Sequence, residues 1–347
     1  MSKYVPIEKF WELSAQFPVI DVRAPIEFQK GHIPNAINLP LFDDEQREEI
    51  GTIYHNQGRN ESVLRGLEIV GPKMREMSEA MLEIADGSSV LLQCWRGGMR
   101  SRSVGWLAEQ VDVQSYVLQG GYKAFRKYVL ETFRQPLNLQ VVSGLTGAGK
   151  TQQIYRLEQA GEQTIDLEKL ANHRGSAFGG IGQGDQPSVE HFENELFSQI
   201  SKLDKSRRVW IEDESRMIGS ARLPHHLYAQ LRLAPAYFMN VSPETRTELI
   251  LQQYGDLSRE ELIEAIHRIT KRLGGQHAKD AAQCITIGNI KRAVEILLEY
   301  YDRLYRSNRD RMTREVFVDF DVADPCSEST TNKLIELAES ACQNVSA

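Results

Sequence analysis

Eight residues, Gly144-Leu145-Thr146-Gly147-Ala148-Gly149-Lys150-Thr151, constrain the fold of this chain more than any others. They fit the pattern G-x4-G-K-[ST], which works only when a strand leads in and a helix leads out. The apolar run Leu139 to Ser143 supplies that strand, and a helix is expected after Thr151. In this setting backbone N–H groups surround a phosphate, the lysine reaches its oxygens, and the threonine hydroxyl can hold Mg²⁺. Gly144, Gly147, Gly149, Lys150 and Thr151 are therefore the expected diphosphate-binding residues. The pattern leaves open whether a nucleotide is hydrolysed or a diphosphate is only gripped.

The strand–loop–helix unit extends into a larger α/β pattern. Val209-Trp210-Ile211 reads as a second parallel strand, and its acidic end, Glu212-Asp213-Glu214, places Glu212 or Asp213 as a Mg²⁺ or substrate contact. A polar strand end is the alternative. Ala236 to Val241 reads as a third strand, and from Pro243 to about Arg311 the apolar spacing is helical. The glycine-rich stretch Gly175 to Gln186 is expected to be a loop that orders on binding, or a lid. Ser327 to Thr331 reads as a polar linker before a last helix carrying Leu334, Ile335 and Leu337.

The residues before Pro136 read as a separate α/β unit. Its short strands are Pro18 to Arg23, Val90 to Leu92 and Val113 to Leu118, with helical periodicity over residues 60–85 and a closing helix from Tyr122 to Phe133. Cys94 stands at the tip of the second of these strands, in Cys94-Trp95-Arg96-Gly97-Gly98-Met99-Arg100-Ser101. Gly97 and Gly98 let successive amides turn inward and form an anion nest, and a helix starting near Ser101 adds a partial positive charge. Such surroundings favour the nucleophilic thiolate. Arg96 and Arg100 join the two glycines as expected oxyanion-binding residues; Arg102 is a third cation, and not all three can point inward. A merely packed cysteine would not need this glycine and arginine context. Cys284, Cys326 and Cys342 lack it and read as structural or incidental.

At 347 residues the chain suits two domains, residues 1–134 and 136–245, with a helical extension over 246–320 and a tail over 321–347. No apolar run approaches the ~20 residues of a membrane span, and no signal peptide is evident, so we expect no membrane association. The four scattered cysteines form no CxxC pair and share no metal-ligand spacing with the eight histidines. Free thiols, a cytoplasmic location and no tightly bound metal are the expectation. A net charge of −7 argues against a protein coated in nucleic acid, though not against a local basic groove. Tyr300 to Arg311 interleaves arginines with tyrosines, with Arg268, Lys271, Arg272 and Lys279 upstream; this is either a nucleic-acid contact or a solvated helix face with core tyrosines, and the second reading is preferred.

Two resemblances sharpen the picture. Val19-Ile20-Asp21-Val22-Arg23, Glu27-Phe28 and Gly31 to Pro40 resemble the rhodanese (sulfurtransferase) pattern, with Cys94 where that family keeps its persulfide cysteine. The likeness implies a cysteine that carries sulfur or selenium, and makes His32 part of a structural turn. The whole chain to about residue 320 resembles the tRNA 2-selenouridine synthases, through the Cys94 loop, the P-loop, His173-Arg174-Gly175-Ser176 and Glu212 to Gly219. The implied fold is α/β: an N-terminal rhodanese-like domain followed by a P-loop NTPase-like domain with a helical C-terminal part.

The implied substrate is a tRNA with a wobble 2-thiouridine. The implied chemistry is geranylation of its sulfur by geranyl diphosphate, then replacement of the geranylthio group by selenium from selenophosphate through Cys94. A selenophosphate-supplying enzyme becomes an expected partner, and Arg174 and Arg216 become candidate tRNA or diphosphate contacts. Apolar residues near the P-loop must hold the geranyl chain. Rival readings are a sulfurtransferase with a regulatory P-loop domain, an ATPase carrying a rhodanese module, and, more weakly, a phosphatase built on the Cys-x5-Arg loop.

Overall fold

The computed structural model describes residues 2–174, 184–254, 257–309 and 314–345. The chain divides into two units, Met1–Thr132 with Glu193–Glu195, and Phe133–Phe192 with Leu196–Ala347.

The first unit runs β1 (Lys3–Val5), α1 (Ile7–Leu13), β2 (Val19–Asp21), α2 (Pro25–Lys30), β3 (Ile37–Asn38), α3 (Asp44–Asn56), α4 (Arg59–Val70), α5 (Met74–Ala85), β4 (Val90–Gln93), α6 (Met99–Gln110), β5 (Ser115–Leu118) and α7 (Gly121–Thr132). The strands form one sheet in the order β1-β5-β4-β2-β3, every pair parallel. The central strands β2 and β4 are buried at every residue, as continuous apolar runs covered on both faces require. On one face Ile20, Leu92 and Val117 pack with Met77, Met81, Val104 and Leu107 from α5 and α6.

The helical periodicity over residues 60–85 resolves into two helices separated by a 3₁₀ turn at Gly71–Lys73, where Pro72 cannot continue α4. The helix α3 has no buried residue and so lacks the apolar stripe that would reveal it in the sequence. Its start is fixed instead by a capping box, in which Asp43 accepts from the Gln46 amide and Gln46 bonds back to Asp43.

A wholly buried ion pair holds the turn after β2. Arg23 Nη2 lies 2.6 Å from Asp21 Oδ2 and 2.7 Å from the Gly31 carbonyl, and its guanidinium sits 3.8 Å from the centre of the Tyr122 ring. Asn38 donates to the carbonyls of Asp21 and Arg23, tying β3 to the same turn.

The second unit begins with β6 (Leu139–Gly144), α8 (Lys150–Gln159), β7 (Gln163–Ile165), α9 (Leu167–Ala171), α10 (Val189–Ile200) and β8 (Val209–Glu212). A small hairpin, β9 (Met217–Ile218) and β10 (Ala221–Arg222), precedes α11 (His225–Leu233) and β11 (Ala236–Val241). Then come α12 (Pro243–Tyr254), α13 (Arg259–Leu273), α14 (Gly275–Thr286), α15 (Ile290–Arg309), β12 (Phe317–Val322) and α16 (Glu328–Val345). The main sheet is again parallel, in the order β12-β11-β6-β8-β7. Helices α13 to α15 carry their own core around Ile266, Ile269, Ala281, Ile285 and Leu297.

The end of the chain is not a tail. β12 pairs with β11 from Phe317 to Val322, and α16 starts at Glu328, inside the segment expected to be a linker. Gln153 of α8 donates to the Pro325 carbonyl at 2.7 Å and accepts from Thr331 at 2.7 Å, so this segment is fastened to the helix that follows the P-loop. Leu334 and Ala338 complete the core with Ile154 and Leu157.

Two outcomes follow. Asp21→Ala leaves Arg23 charged and unpaired in the core, and should cost about 3–5 kcal/mol in urea unfolding of the full chain. Ending the chain after Asp324 should unfold the second unit, read as loss of protease resistance in residues 133–324, rather than trim a dispensable tail.

Candidate functional site

The parallel strands aim their C-terminal ends at two loops, one in each unit. In the first, Cys94 follows β4 directly and is 3% exposed. Its sulfur lies 3.2 Å from Ser101 Oγ, which also stands 3.3 Å from the Gly98 carbonyl. A carbonyl only accepts, so Ser101, in the first turn of α6, gives its one proton either to Gly98 or to the sulfur; in the first case the Cys94 thiol is the donor to Ser101. Among the described residues, the amides of Trp95, Arg96, Gly97, Gly98 and Met99 donate to no backbone carbonyl. A loop with so few internal amide bonds keeps donors that an oxyanion could accept from.

Glycine is needed in this loop for close approach. Gly97 has φ +62°, and a Cβ there would lie 2.3 Å from the Leu118 carbonyl; Gly121, at φ +59°, would drive one to 2.1 Å from the Cys94 carbonyl. The Cys94 loop is thus seated against the turn before α7, where Tyr122 N donates to Cys94 O at 2.9 Å. Of the three arginines, Arg100 binds Glu27 at 2.7 Å, Arg96 is exposed, and Arg102 stacks 5.1 Å from the Tyr4 ring. Burial raises the Glu27 carboxyl, but the hydrogen bond and charge of Arg100 outweigh it and hold it below its usual value. Cys94, Arg96, Gly98 and Arg100 line one cavity of about 560 Å³, whose remaining wall comes mainly from α3 and α4. His32 stacks on Phe28 at 3.8 Å between ring centres and bonds its carbonyl through Nδ1, in keeping with a structural turn.

In the second unit the P-loop is held from two sides. Gly147 has φ +79°, and a Cβ there would meet Ile250 at 2.8 Å; Gly149, at φ +76°, would meet Pro325 at 2.9 Å. Arg246, 2% exposed, donates to the Thr146 carbonyl at 3.2 Å and grips Asp302 with two bonds of 2.8 and 2.7 Å. Lys150 Nζ lies 3.3 Å from Gly144 O. Gly147, Gly149, Lys150, Thr151 and Arg174 share a cavity whose far wall is apolar, formed by Ile250, Leu262, Ile290, Val294, Leu297 and Tyr301. Sequence periodicity marks most of these as helical core and gives no sign that they face the P-loop.

A carboxyl cluster underlies this loop. Thr151 Oγ1 donates to Glu168 at 2.9 Å, and burial with the neighbouring Glu214 pushes Glu168 up to about 7. Glu212 is wholly buried with no hydrogen bond to either oxygen, and burial followed by Glu168 raises it well above the usual range. Glu214 is raised by burial, against the charge of Lys150. Glu168 was not visible as a site residue in the sequence, because it lies in α9, a helix of only five residues that signals nothing by periodicity. Among the described residues no three Asp, Glu, His or Cys side chains could hold a metal ion by themselves.

Asp213 corrects the expectation of a Mg²⁺ or substrate contact there. Strand alternation turns it away from Glu212, and it binds Arg314 at 2.6 Å, Ser143 at 2.6 Å and Tyr305 at 3.2 Å. Arg216 lies beside the hairpin β9–β10 and does not line the P-loop cavity. The tyrosines of the arginine-rich stretch turn inward: Tyr300 packs on the α13–α15 core, Tyr301 lines the cavity and Tyr305 bonds Ser143. Asp310, Arg311 and residues 175–183 of the glycine-rich stretch, including Gly175 and Ser176, lie outside the described residues. Since the folded state favours the neutral form of Glu168, its ionisation destabilises the protein as pH rises from about 4.5 to 7. Glu168→Gln should therefore stabilise the unliganded chain by about 2 kcal/mol at pH 8, and by almost nothing at pH 4, in thermal melts at the two pH values.

Comparison with known proteins agrees with this architecture. Residues 7–128 match the rhodanese-like domain model, and residues 137–333 match the model of the tRNA 2-selenouridine synthase AAA domain. The tRNA 2-selenouridine synthase of Pseudomonas fluorescens is 36% identical over 84% of this chain and 89% of its own length. Those of Pseudomonas putida and Pseudomonas syringae pv. syringae are each 33% identical, over 84% and 86% of this chain and 88% and 90% of theirs. With both domain models matched and relatives aligned over most of its length, the chain belongs to the tRNA 2-selenouridine synthase family.

Proposed function

We propose that this protein converts a 2-thiouridine of tRNA to 2-selenouridine in two steps, one at each loop. The observation that carries the reading is the P-loop cavity. Its entrance offers loop amides, Lys150 and Arg174 to a diphosphate, while Ile250, Leu262, Val294 and Leu297 offer a hydrocarbon wall. A nucleotide's base and ribose would bury polar edges against that wall, and away from the loop the lining offers them few partners, chiefly Gln253 and the Tyr301 hydroxyl. A prenyl diphosphate has the matching division, an anionic head and an apolar tail, which favours geranyl diphosphate as co-substrate.

In the first step the thiocarbonyl sulfur attacks C1 of the geranyl group. The C1–O bond breaks, diphosphate leaves with the electron pair, and the pyrimidine N3 proton is released. Lys150 and the loop amides act on the charge that develops on the leaving group. Thr151 and Glu212 are hard oxygen donors at the loop and would hold Mg²⁺, which would supply charge neutralisation there.

In the second step the selenium of selenophosphate attacks C2 and the C2–S bond breaks, releasing geranylthiol; water then takes the phosphoryl group as the P–Se bond breaks, so phosphate leaves and selenium stays on C2. Selenium in selenophosphate is already at the selenide level, so the exchange is a substitution without change of oxidation state. The amides of residues 95–99, none bonded to a backbone carbonyl, and Arg96 suit the selenophosphate anion, and Cys94, with Ser101 against its sulfur, lines the same cavity.

The test is nucleoside mass spectrometry on 2-thiouridine tRNA given geranyl diphosphate and selenophosphate, separately and together. A geranylated nucleoside is expected with the first alone, and a selenonucleoside with both. Lys150→Ala should slow geranylation about 100-fold. Cys94→Ala should leave geranylation intact and abolish selenium incorporation. An unchanged nucleoside from folded protein, with turnover of thiosulfate instead, would replace this reading with a simple sulfurtransferase.

A further inference from the structure

The cavity beside Cys94 is far larger than an oxyanion needs. Its volume is about 560 Å³, and beyond the Cys94 loop its wall is aliphatic and aromatic: Phe42, Ile50, Val63, Leu67 and Val70. The cations are grouped rather than spread. Arg100 and Arg47 both approach Glu27, at 2.7 and 3.9 Å, and Arg96 lies in the Cys94 loop itself. The polar group on the α4 side, the Ser62 hydroxyl, is already given to the Arg59 carbonyl at 2.8 Å. A base or sugar against Phe42, Ile50, Val63, Leu67 and Val70 would find few hydrogen-bond partners, since the Tyr54 hydroxyl, Arg47 and Ser103 are the polar groups left on the lining outside the Cys94 loop and Arg100. Apolar side chains nevertheless stand open to water along it, Tyr54 at 57% exposed, Leu67 at 63% and Met99 at 45%.

We propose that this cavity is a hydrocarbon-chain site whose reactive end is Cys94. Its ligand has an aliphatic tail of about ten carbons and a head that reaches the sulfur and the arginines. Resting on the two-step reading above, the occupant is the geranyl chain of the S-geranyl nucleoside, held while C2 faces the Cys94 loop. The argument is one of complementarity. A chain installed at the P-loop cavity remains attached to the nucleoside in the next step, and a second apolar wall adjoins the very thiol assigned to that step. Holding the chain also aligns the bond that must break, and retains the geranylthiolate as it leaves.

The experiment reads Cys94 directly. The full chain is treated with geranyl bromoacetate or methyl bromoacetate, and the adducts on each cysteine are followed by peptide mass spectrometry. Cys94 should be alkylated about tenfold faster by the geranyl ester, as partial burial of the chain implies. Leu67→Glu and Tyr54→Glu, both at exposed positions and so tolerant of charge, should each bring that ratio below about threefold. The ratios at Cys284, Cys326 and Cys342 should not respond to either change. Equal rates for the two esters at Cys94, no adduct at Cys94, or a ratio unmoved by both substitutions would overturn the proposal.

Selenium exchange on tRNA bearing S-geranyl- or S-methyl-2-thiouridine is measured alongside. A geranyl preference in exchange, reduced by Leu67→Glu, supports the assigned occupant. No exchange with either tRNA, with the Cys94 labelling preference intact, would sink the tRNA reading and leave the chain site standing.

Discussion

Arg246 carries a disproportionate share of the second unit. It is buried, it bonds the Thr146 carbonyl in the P-loop, and it grips Asp302 on α15 with both terminal nitrogens. The same helix that supplies Asp302 supplies Val294, Leu297 and Tyr301 to the cavity wall. One guanidinium thus fixes the distance between the place where a phosphate binds and the place where a hydrocarbon chain lies. A point charge on a flexible stem could not span both partners in the same way, because only a planar fork addresses a carboxylate with two bonds while a third donor reaches elsewhere.

The two loops solve a shared problem by different means. Both follow a buried parallel strand, and both need glycine where backbone meets backbone or side chain: Gly97 against Leu118, Gly149 against Pro325. The first then presents a sulfur, the second an ammonium. Each sits beside an apolar cavity, so each addresses a reactive head joined to a greasy body. Burial raises Glu212 and Glu168 toward their neutral forms in the unliganded protein, and a divalent cation at Glu212 would offset that burial while adding positive charge for an anionic ligand.

The reactive loops were readable in the sequence because they are local. The P-loop and the Cys94 segment bring their own glycines, cations and flanking strands in consecutive residues, and the α/β class follows from the strand spacing. What was not readable depends on contacts between distant residues. Asp213 and Glu212 are neighbours in sequence, and only the pleat of β8 decides that one faces Thr151 while the other faces Arg314. The segment after Asp321 carries no motif, yet Gln153 and Thr331 place it on α8. The helix α3 was missed because none of its residues is buried, and it is α3 that helps to make the cavity beside Cys94.

The position of β12 has a consequence for synthesis on the ribosome. The first unit can complete its sheet once residue 118 has emerged, because every one of its strands lies before that point. The second cannot: its strand β11 waits for a partner that is translated some 80 residues later, after four helices. During that interval β11 presents an unpaired hydrogen-bonding edge with an apolar sequence, the kind of surface on which nascent chains associate. A pause or truncation between residues 241 and 317 would therefore release a polypeptide with one finished domain and one exposed sheet edge, the kind of product that chaperones and proteases of the quality-control system recognise.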